Sequence, residues 1–253
     1  MADFTHNVIV FVSGFFASSI NSIAFGGSLI SFPALVWLGV PPIVANATNS
    51  AAMWPGSLGA VWGYRRELRH TSAHMYWLIV PSIAGAVAGA MLLRRTPPDL
   101  FDRLVPLLLL FSTLLFAVQE RLQRLVNLAP GHHGSLWWSA AMIFQFLVSV
   151  YGGYFGAGMG ILMLLALAVL GHDDIHQMNG LKNLLALFIN AVAAGYFLFA
   201  GMVRIPDAAV MAAGAILGGA SAAGLARRMG RKAVRRAVIV IGFGMTLALF
   251  LRL

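Results

Sequence analysis

The sequence predicts an all-α polytopic membrane protein, and its composition, one long uncharged run and an internal repeat are the observations that predict it. Apolar residues make up 60% of the 253 residues, charged residues only 10%, and the mean hydropathy is +0.84. A water-soluble domain of this size needs more polar surface than this composition supplies. The 61 residues between Asp3 and Arg65 contain no Asp, Glu, Lys or Arg, which is enough for about three crossings of about 20 residues each.

The internal repeat pairs a glycine cluster with an asparagine-rich segment in each half of the chain. In the first half, Gly26-Gly27-Ser28 opens an apolar run and Asn46-Ala47-Thr48-Asn49 starts the next one. In the second half, Gly158-Met159-Gly160 and Asn179-Gly180-Leu181-Lys182-Asn183 stand at the matching places. Interrupted helices that recur in two halves are typical of duplicated transporter folds. We therefore predict two transmembrane repeats, residues 1–125 and 126–253, with about 8 to 10 membrane segments in all.

The apolar runs of the first half predict one interrupted segment followed by three passes. Residues 7–39 are too long for one straight helix, and Gly26-Gly27 and Pro33 are expected to divide them into a broken helix or a helical hairpin. The passes are expected at 43–64, 75–93 and 103–119. The polar stretch 120–136 then separates the two halves.

The second half follows the same plan. Residues 137–171 form another long apolar run, in which Gly152-Gly153 and the glycines at 156, 158 and 160 are expected to break the helix. The passes that follow are expected at 179–200, 206–226 and 234–251. Each half is therefore expected to contain a long broken run and three transmembrane helices.

The distribution of Lys and Arg favours opposite orientations for the two repeats. If each long run crosses the membrane and returns, twelve basic residues lie on the cytoplasmic side and four on the other. If each long run crosses once, the split is ten against six. Because cytoplasmic loops are enriched in Lys and Arg, the first arrangement is preferred, and it makes the repeats inverted.

The net charge of +9 predicts contact with lipid and not with nucleic acid. The basic residues lie between the apolar runs, above all in residues 227–236, where they would meet anionic lipid headgroups. The absence of Cys excludes disulfides and thiolate metal sites. The lipid bilayer is therefore the predicted environment of the basic clusters.

Uncharged hydrogen-bonding side chains at membrane depth predict a site for a small anion. All eight acidic residues lie in predicted loops or helix ends, whereas broken helices present free N–H groups and the positive end of their dipole. Asn49 and Asn183 are expected to meet between the repeats, flanked by Thr48 and Lys182. The alternative is that the amides only join helices by hydrogen bonds, and that Lys182 is an interfacial lysine. The candidate binding residues are Gly26, Gly27, Ser28, Asn46, Thr48, Asn49, Gly158, Gly160, Lys182 and Asn183.

The sequence predicts no catalytic residue, no metal and no cofactor. His172 and His176 enclose Asp173 and Asp174 and could chelate a metal on a helix, but such a cluster is typical of a solvated loop. An intramembrane serine nucleophile at Ser28 would need a histidine base, and the apolar runs contain none at bilayer depth. We therefore predict that the protein is not an enzyme.

Taken together, these motifs resemble those of the sulfite exporter TauE/SafE family. The resemblance covers roughly residues 8–250, and it rests on Gly26-Gly27-Ser28 with Pro33, Gly39-Val40-Pro41, Ala45 to Asn49, Tyr64-Arg65-Arg66, Gly156 to Gly160 and Asn179 to Asn183. It implies a multi-pass transporter in a bacterial or archaeal plasma membrane that exports sulfite or an organosulfur anion such as sulfoacetate. A homo-oligomer of this chain is compatible with the resemblance.

Two departures from the family pattern leave the substrate open. Ser28 stands where a third glycine often appears, and Thr48-Asn49 is matched by the dissimilar pair Lys182-Asn183. The alternatives are a transporter for another small anion, such as thiosulfate or a carboxylate, and a non-transporting membrane scaffold subunit.

Overall fold

The protein is an all-α polytopic membrane protein, as its composition predicts. A computed structural model describes residues 2–24, 26–126, 135–170, 175–229 and 231–251, and these ranges contain no β-strand. Three helical segments within them are long and apolar enough to cross a membrane: Ala73–Arg95, Pro98–Gln119 and His176–Phe199. Shorter apolar helices cover Ser28–Trp37 and Ile205–Gly219.

The helices of the first half follow the predicted order of a broken run and three passes. They are α1 (Ala2–Ala24), α2 (Ser28–Trp37), α3 (Pro42–Gly63), the short α4 (Arg65–Arg69), a 3-10 helix (Ala73–Leu78), α5 (Ile79–Arg95) and α6 (Pro98–Val126). The third pass is longer than the expected 103–119, because α6 continues through polar residues at both ends.

The helices of the second half repeat this order. They are α7 (Ser135–Tyr154), α8 (Met159–Val169), α9 (Ile175–Phe199), α10 (Ile205–Met229) and α11 (Arg231–Phe250). In each half a long helix is followed by a short one of 10 or 11 residues and then by three longer helices. The recurrence agrees with two repeats, whereas the boundary at 125/126 and the inverted orientation stay predictions.

Both long runs are interrupted at a glycine cluster, as expected. In the first, a Cβ atom on Gly27 would lie 2.0 Å from the carbonyl oxygen of Ala17, so the chain turns back and α2 packs on the end of α1. In the second, Gly156 and Gly158 both have φ of 79°, a left-handed conformation that glycine adopts without steric penalty. The glycines therefore form the turns of two helical interruptions.

Two of the expected breaks are wrong. Pro33 lies inside α2, where its missing N–H affects only the second turn of a short helix. Gly152 and Gly153 lie inside α7, and a Cβ atom on Gly153 would be 2.4 Å from the carbonyl oxygen of Ala86 on α5. Gly153 thus serves close helix packing, which needs no break in the helix.

Contacts between the halves occur in matching pairs. Helix α1 packs along α10 while its counterpart α7 packs along α5, and α3 contacts α9 while α6 contacts α11. Helix α2 contacts α11, and the equivalent α8 contacts α6. An exchange of equivalent partners is what a two-fold arrangement of the repeats would produce.

Glycines bring the backbones together at both exchanged interfaces. On α10, Cβ atoms at Gly214 and Gly218 would lie 2.2 and 2.0 Å from carbonyl oxygens of α1. On α5, a Cβ atom at Gly89 would lie 2.1 Å from the carbonyl oxygen of Val150 on α7. These glycines therefore serve close helix packing, whereas Gly59 and Gly63 on α3 have no neighbour within 4 Å of their Cβ positions.

Candidate functional site

A small, partly open cavity of about 50 Å³ lies between the two halves. Helices α1, α2 and α3 line it from the first half, and the α7–α8 connection with α9 lines it from the second. None of its sixteen lining residues is Asp, Glu, Lys, Arg or His. Eight carry a hydroxyl or an amide: Ser18, Asn21, Ser28, Asn49, Ser50, Ser57, Asn183 and Asn190.

Asn49 reaches the cavity from α3 with its amide oriented by α2. The side chain is only 3% exposed, and the hydroxyl of Ser31 donates a hydrogen bond of 2.5 Å to its Oδ1. The carbonyl oxygen of the amide therefore already accepts one hydrogen bond. The NH₂ group of Asn49 remains available as a donor to a ligand.

Asn183 reaches the same cavity from α9, and it is 4% exposed. Its amide has no hydrogen-bond partner among the residues that the structure describes. This unpaired amide faces the cavity, so a ligand or water there can satisfy it. Asn190 lies two helical turns further along α9 and lines the cavity as well.

The N-termini of α2 and α8 also border the cavity. Ser28 is the first residue of α2, and Met159 is the first residue of α8. Both follow a glycine, which offers no side chain to cap the first turn, and the N–H of Gly27 donates to Oδ1 of Asn21 at 2.7 Å. Two helix N-termini therefore direct their positive ends to one uncharged polar cavity.

Four predicted site residues line the cavity together: Ser28, Asn49, Gly158 and Asn183. Three polar ones lie outside the lining and have other partners. Asn46 donates to the carbonyl oxygen of Tyr154 at 2.8 Å, and Thr48 Oγ1 accepts from the backbone N–H of Arg204 at 3.0 Å. Lys182 Nζ donates to Asn179 Oδ1 at 2.7 Å. These bonds match the helix-joining role left open for Asn46.

The remaining predicted glycines support the breaks and do not line the cavity. A Cβ atom on Gly26 would lie 2.6 Å from the ring of Phe116, and one on Gly27 would meet the backbone of α1. Gly160 is the second residue of α8 and is buried. Tight packing at these positions fixes where the two helix N-termini lie.

Several lining residues were not among the predicted site residues, although the sequence contains a signal for them. On α3, Asn49, Met53, Gly56 and Ala60 recur at helical spacing and line one face with Ser50 and Ser57. On α9, Asn183, Ala186 and Asn190 do the same. A search for the residues three and four positions after each asparagine, and so on along the helix, would have identified this face. Ser18 and Phe155 carry no comparable signal.

One buried acidic residue connects the halves away from the cavity. Asp207, near the start of α10, is 2% exposed. Its Oδ1 lies 2.9 Å from Nε2 of His6 on α1, and its Oδ2 lies 3.3 Å from Nε of Arg204. The carboxylate therefore ties the beginning of α1 to the beginning of α10.

The possible metal-chelating cluster at residues 172–176 lies only partly within the described residues. His172, Asp173 and Asp174 lie outside the described residues. Within the described part of the chain, no group of three or more His, Cys, Asp or Glu side chains is placed to hold a metal ion.

Comparison with known proteins places the chain among membrane transporters. The family model "Sulfite exporter TauE/SafE" matches residues 10–249. A "Probable membrane transporter protein" of Haemophilus influenzae is 29% identical, over 94% of this chain and 92% of its own length. "Probable membrane transporter protein YfcA" of Escherichia coli is 26% identical, over 92% and 85% respectively. No solved structure matches the chain.

Proposed function

Because this chain belongs to the sulfite exporter TauE/SafE family, a family of membrane transporters, we propose that it exports sulfite or a small organosulfur anion. The membrane would be the bacterial inner membrane, since the curated relatives are bacterial. Transport would proceed by alternating access, in which one repeat moves against the other around a fixed site.

The observation that carries this proposal is the cavity between the halves. It combines the amides of Asn49 and Asn183 with the N-termini of α2 and α8. Amide donors and helix N-termini stabilise negative charge, and both are more effective in a site with little water. An anion bound there would touch both halves, so movement between them would change its access to the two sides.

The other predicted residues have supporting roles in the proposal. Thr48 and Lys182 each lie one residue before a cavity asparagine, and Thr48 ties α3 to the loop before α10. Asn46 ties α3 to Tyr154, the last residue of α7. These bonds would hold Asn49 and Asn183 at opposite walls of the cavity.

The experiment measures sulfite efflux from proteoliposomes that contain the purified protein. We expect Asn183→Ala to lower efflux about 10- to 100-fold, because a hydrogen bond to a charged ligand contributes about 1.5–3 kcal/mol. The melting temperature should not fall, since Asn183 has no protein partner to lose among the described residues.

A matched control is Thr246→Ala. Thr246 is also a buried polar residue, but it bonds only to Gly242 of its own helix, away from the cavity. Its variant should transport at the wild-type rate. Wild-type efflux in both Asn49→Ala and Asn183→Ala would show that these amides do not bind the transported anion.

A further inference from the structure

We propose that the cavity accepts its ligand as a monoanion, so that sulfite is carried in its protonated form, bisulfite, and the dianion is rejected. This inference rests on the proposed anion transport and specifies the charge state of the transported species. It follows from the charge, the hydrogen-bonding groups and the size of the cavity.

The positive charge available at the cavity matches one negative charge. Among the described residues, no ionic side chain lines it, and the Nζ atom of Lys182 is outside the lining, bonded to Asn179. The N-termini of α2 and α8 each supply the equivalent of about half a positive charge. Their sum is about one elementary charge, which a monoanion neutralises and a dianion exceeds.

The loss of hydration also favours the monoanion. The Born energy of an ion grows with the square of its charge, so a dianion loses about four times as much on leaving water. Proteins compensate such a loss with paired cations or a metal. Because the lining, as far as the structure describes it, has no cation, the second negative charge would remain uncompensated.

The two cavity asparagines offer a donor and an acceptor. Asn49 offers its NH₂ group, while its Oδ1 already accepts a hydrogen bond from Ser31. Asn183 is more than nine-tenths buried and has both ends of its amide available within the described structure. Bisulfite can accept from Asn49 and donate its proton to Oδ1 of Asn183.

The cavity size restricts the ligand to a compact anion. At about 50 Å³, the cavity offers several times the about 10–15 Å³ that one water needs, which suits a small oxyanion. Bisulfite and other small oxyanions meet this limit.

The test separates the charge of the anion from the titration of the protein. Sulfite flux into wild-type proteoliposomes is measured on both sides of the pH at which bisulfite and sulfite are equally abundant. The flux of methanesulfinate, a compact monoanion at every pH used, is measured in parallel as the control. The protein is the same in both assays, so the charge state of its own side chains cancels in the ratio of the two fluxes. The ionisable residues on or beside the helices that line the cavity or pack against it include His6, Glu67, Tyr151, Tyr154, His176, Lys182, Tyr196, Arg204 and Asp207.

We expect the ratio of sulfite flux to methanesulfinate flux to follow the bisulfite fraction. On the alkaline side this ratio should fall about tenfold per pH unit, as a single protonation requires. Methanesulfinate should compete with sulfite, and thiosulfate, a dianion, should compete at least about tenfold more weakly. A flux that follows the dianion, or equal competition by thiosulfate, would overturn the monoanion inference and leave anion transport standing. Absence of flux for every anion would instead refute the proposed function, and the inference with it.

Discussion

The contact between α1 and α10 makes Gly218→Ala the sharpest test of how the two halves are held together. A Cβ atom at Gly218 would lie 2.0 Å from the carbonyl oxygen of Phe15, and within 2.8 Å of two further backbone atoms of that residue. Ordinary contact begins at 3.4 Å, so the helices must separate locally by about 1.4 Å, the difference of these two distances. Backbone atoms cannot rotate away as a side chain can.

The expected loss is large because neighbouring contacts separate as well. Overpacking of this kind costs about 1–3 kcal/mol, and a gap of about 1 Å removes up to half of the dispersion energy of each contact around it. The hydrogen bond of 2.9 Å from Ser19 Oγ to the carbonyl oxygen of Gly218 lies in the same interface. We expect Gly218→Ala to be about 2–4 kcal/mol less stable than a matched glycine variant.

The matched variant is Gly244→Ala on α11, where the added Cβ atom has no neighbour within 4 Å. This substitution should be neutral or stabilising by up to about 1 kcal/mol, because alanine is the better helix former. Thermal unfolding in detergent compares the two, and Gly218→Ala should melt about 5–10 °C lower. Equal melting temperatures would refute the close approach of α1 and α10.

Two further predictions concern residues that act through others. Ser31→Ala removes the bond that orients Asn49, so the KM for sulfite should rise about three- to tenfold, a loss of about 1 kcal/mol. Ser221→Ala, whose hydroxyl bonds only to carbonyls of its own helix, is the control, and an unchanged KM in Ser31→Ala would contradict the orienting role. Asp207→Asn removes the charge that His6 and Arg204 share, and we expect a loss of about 1–2 kcal/mol in thermal unfolding, reduced because both partners are partly exposed. Asp99→Asn, an exposed first-turn acid of α6, should change little, and an equal effect of both substitutions would refute the ion pair.

Much of the helix order could be predicted from the sequence, because each apolar run is bounded by charged residues, glycine or proline. The expected pass 43–64 is α3, Pro42–Gly63, and the expected 206–226 is α10, Ile205–Met229. What could not be predicted is which glycine breaks a helix. Gly153 and Gly156 look alike in sequence, but the backbone of α5 lies against Gly153, and that tertiary contact keeps the helix intact.

The cavity was only partly predictable for a similar reason. Asn49 and Asn183 could be identified from the repeat. Asn46 could not be separated from Asn49, because residues three apart lie near the same helix face. They differ in their surroundings, because Asn46 bonds to Tyr154 and Asn49 borders the cavity. Lys182 directly precedes Asn183, so its side chain leaves the helix about 100° away, which is consistent with its place outside the lining.

The pairing of α1 with α10 also has a consequence for how the protein is made. The ion pair of His6 with Asp207 joins positions 201 residues apart in the chain. A nascent chain therefore inserts its first helix long before that helix can find its permanent neighbour, and α1 must reside in lipid or against a temporary companion meanwhile. Completion of the native bundle is then a late event, which follows synthesis of the C-terminal helices.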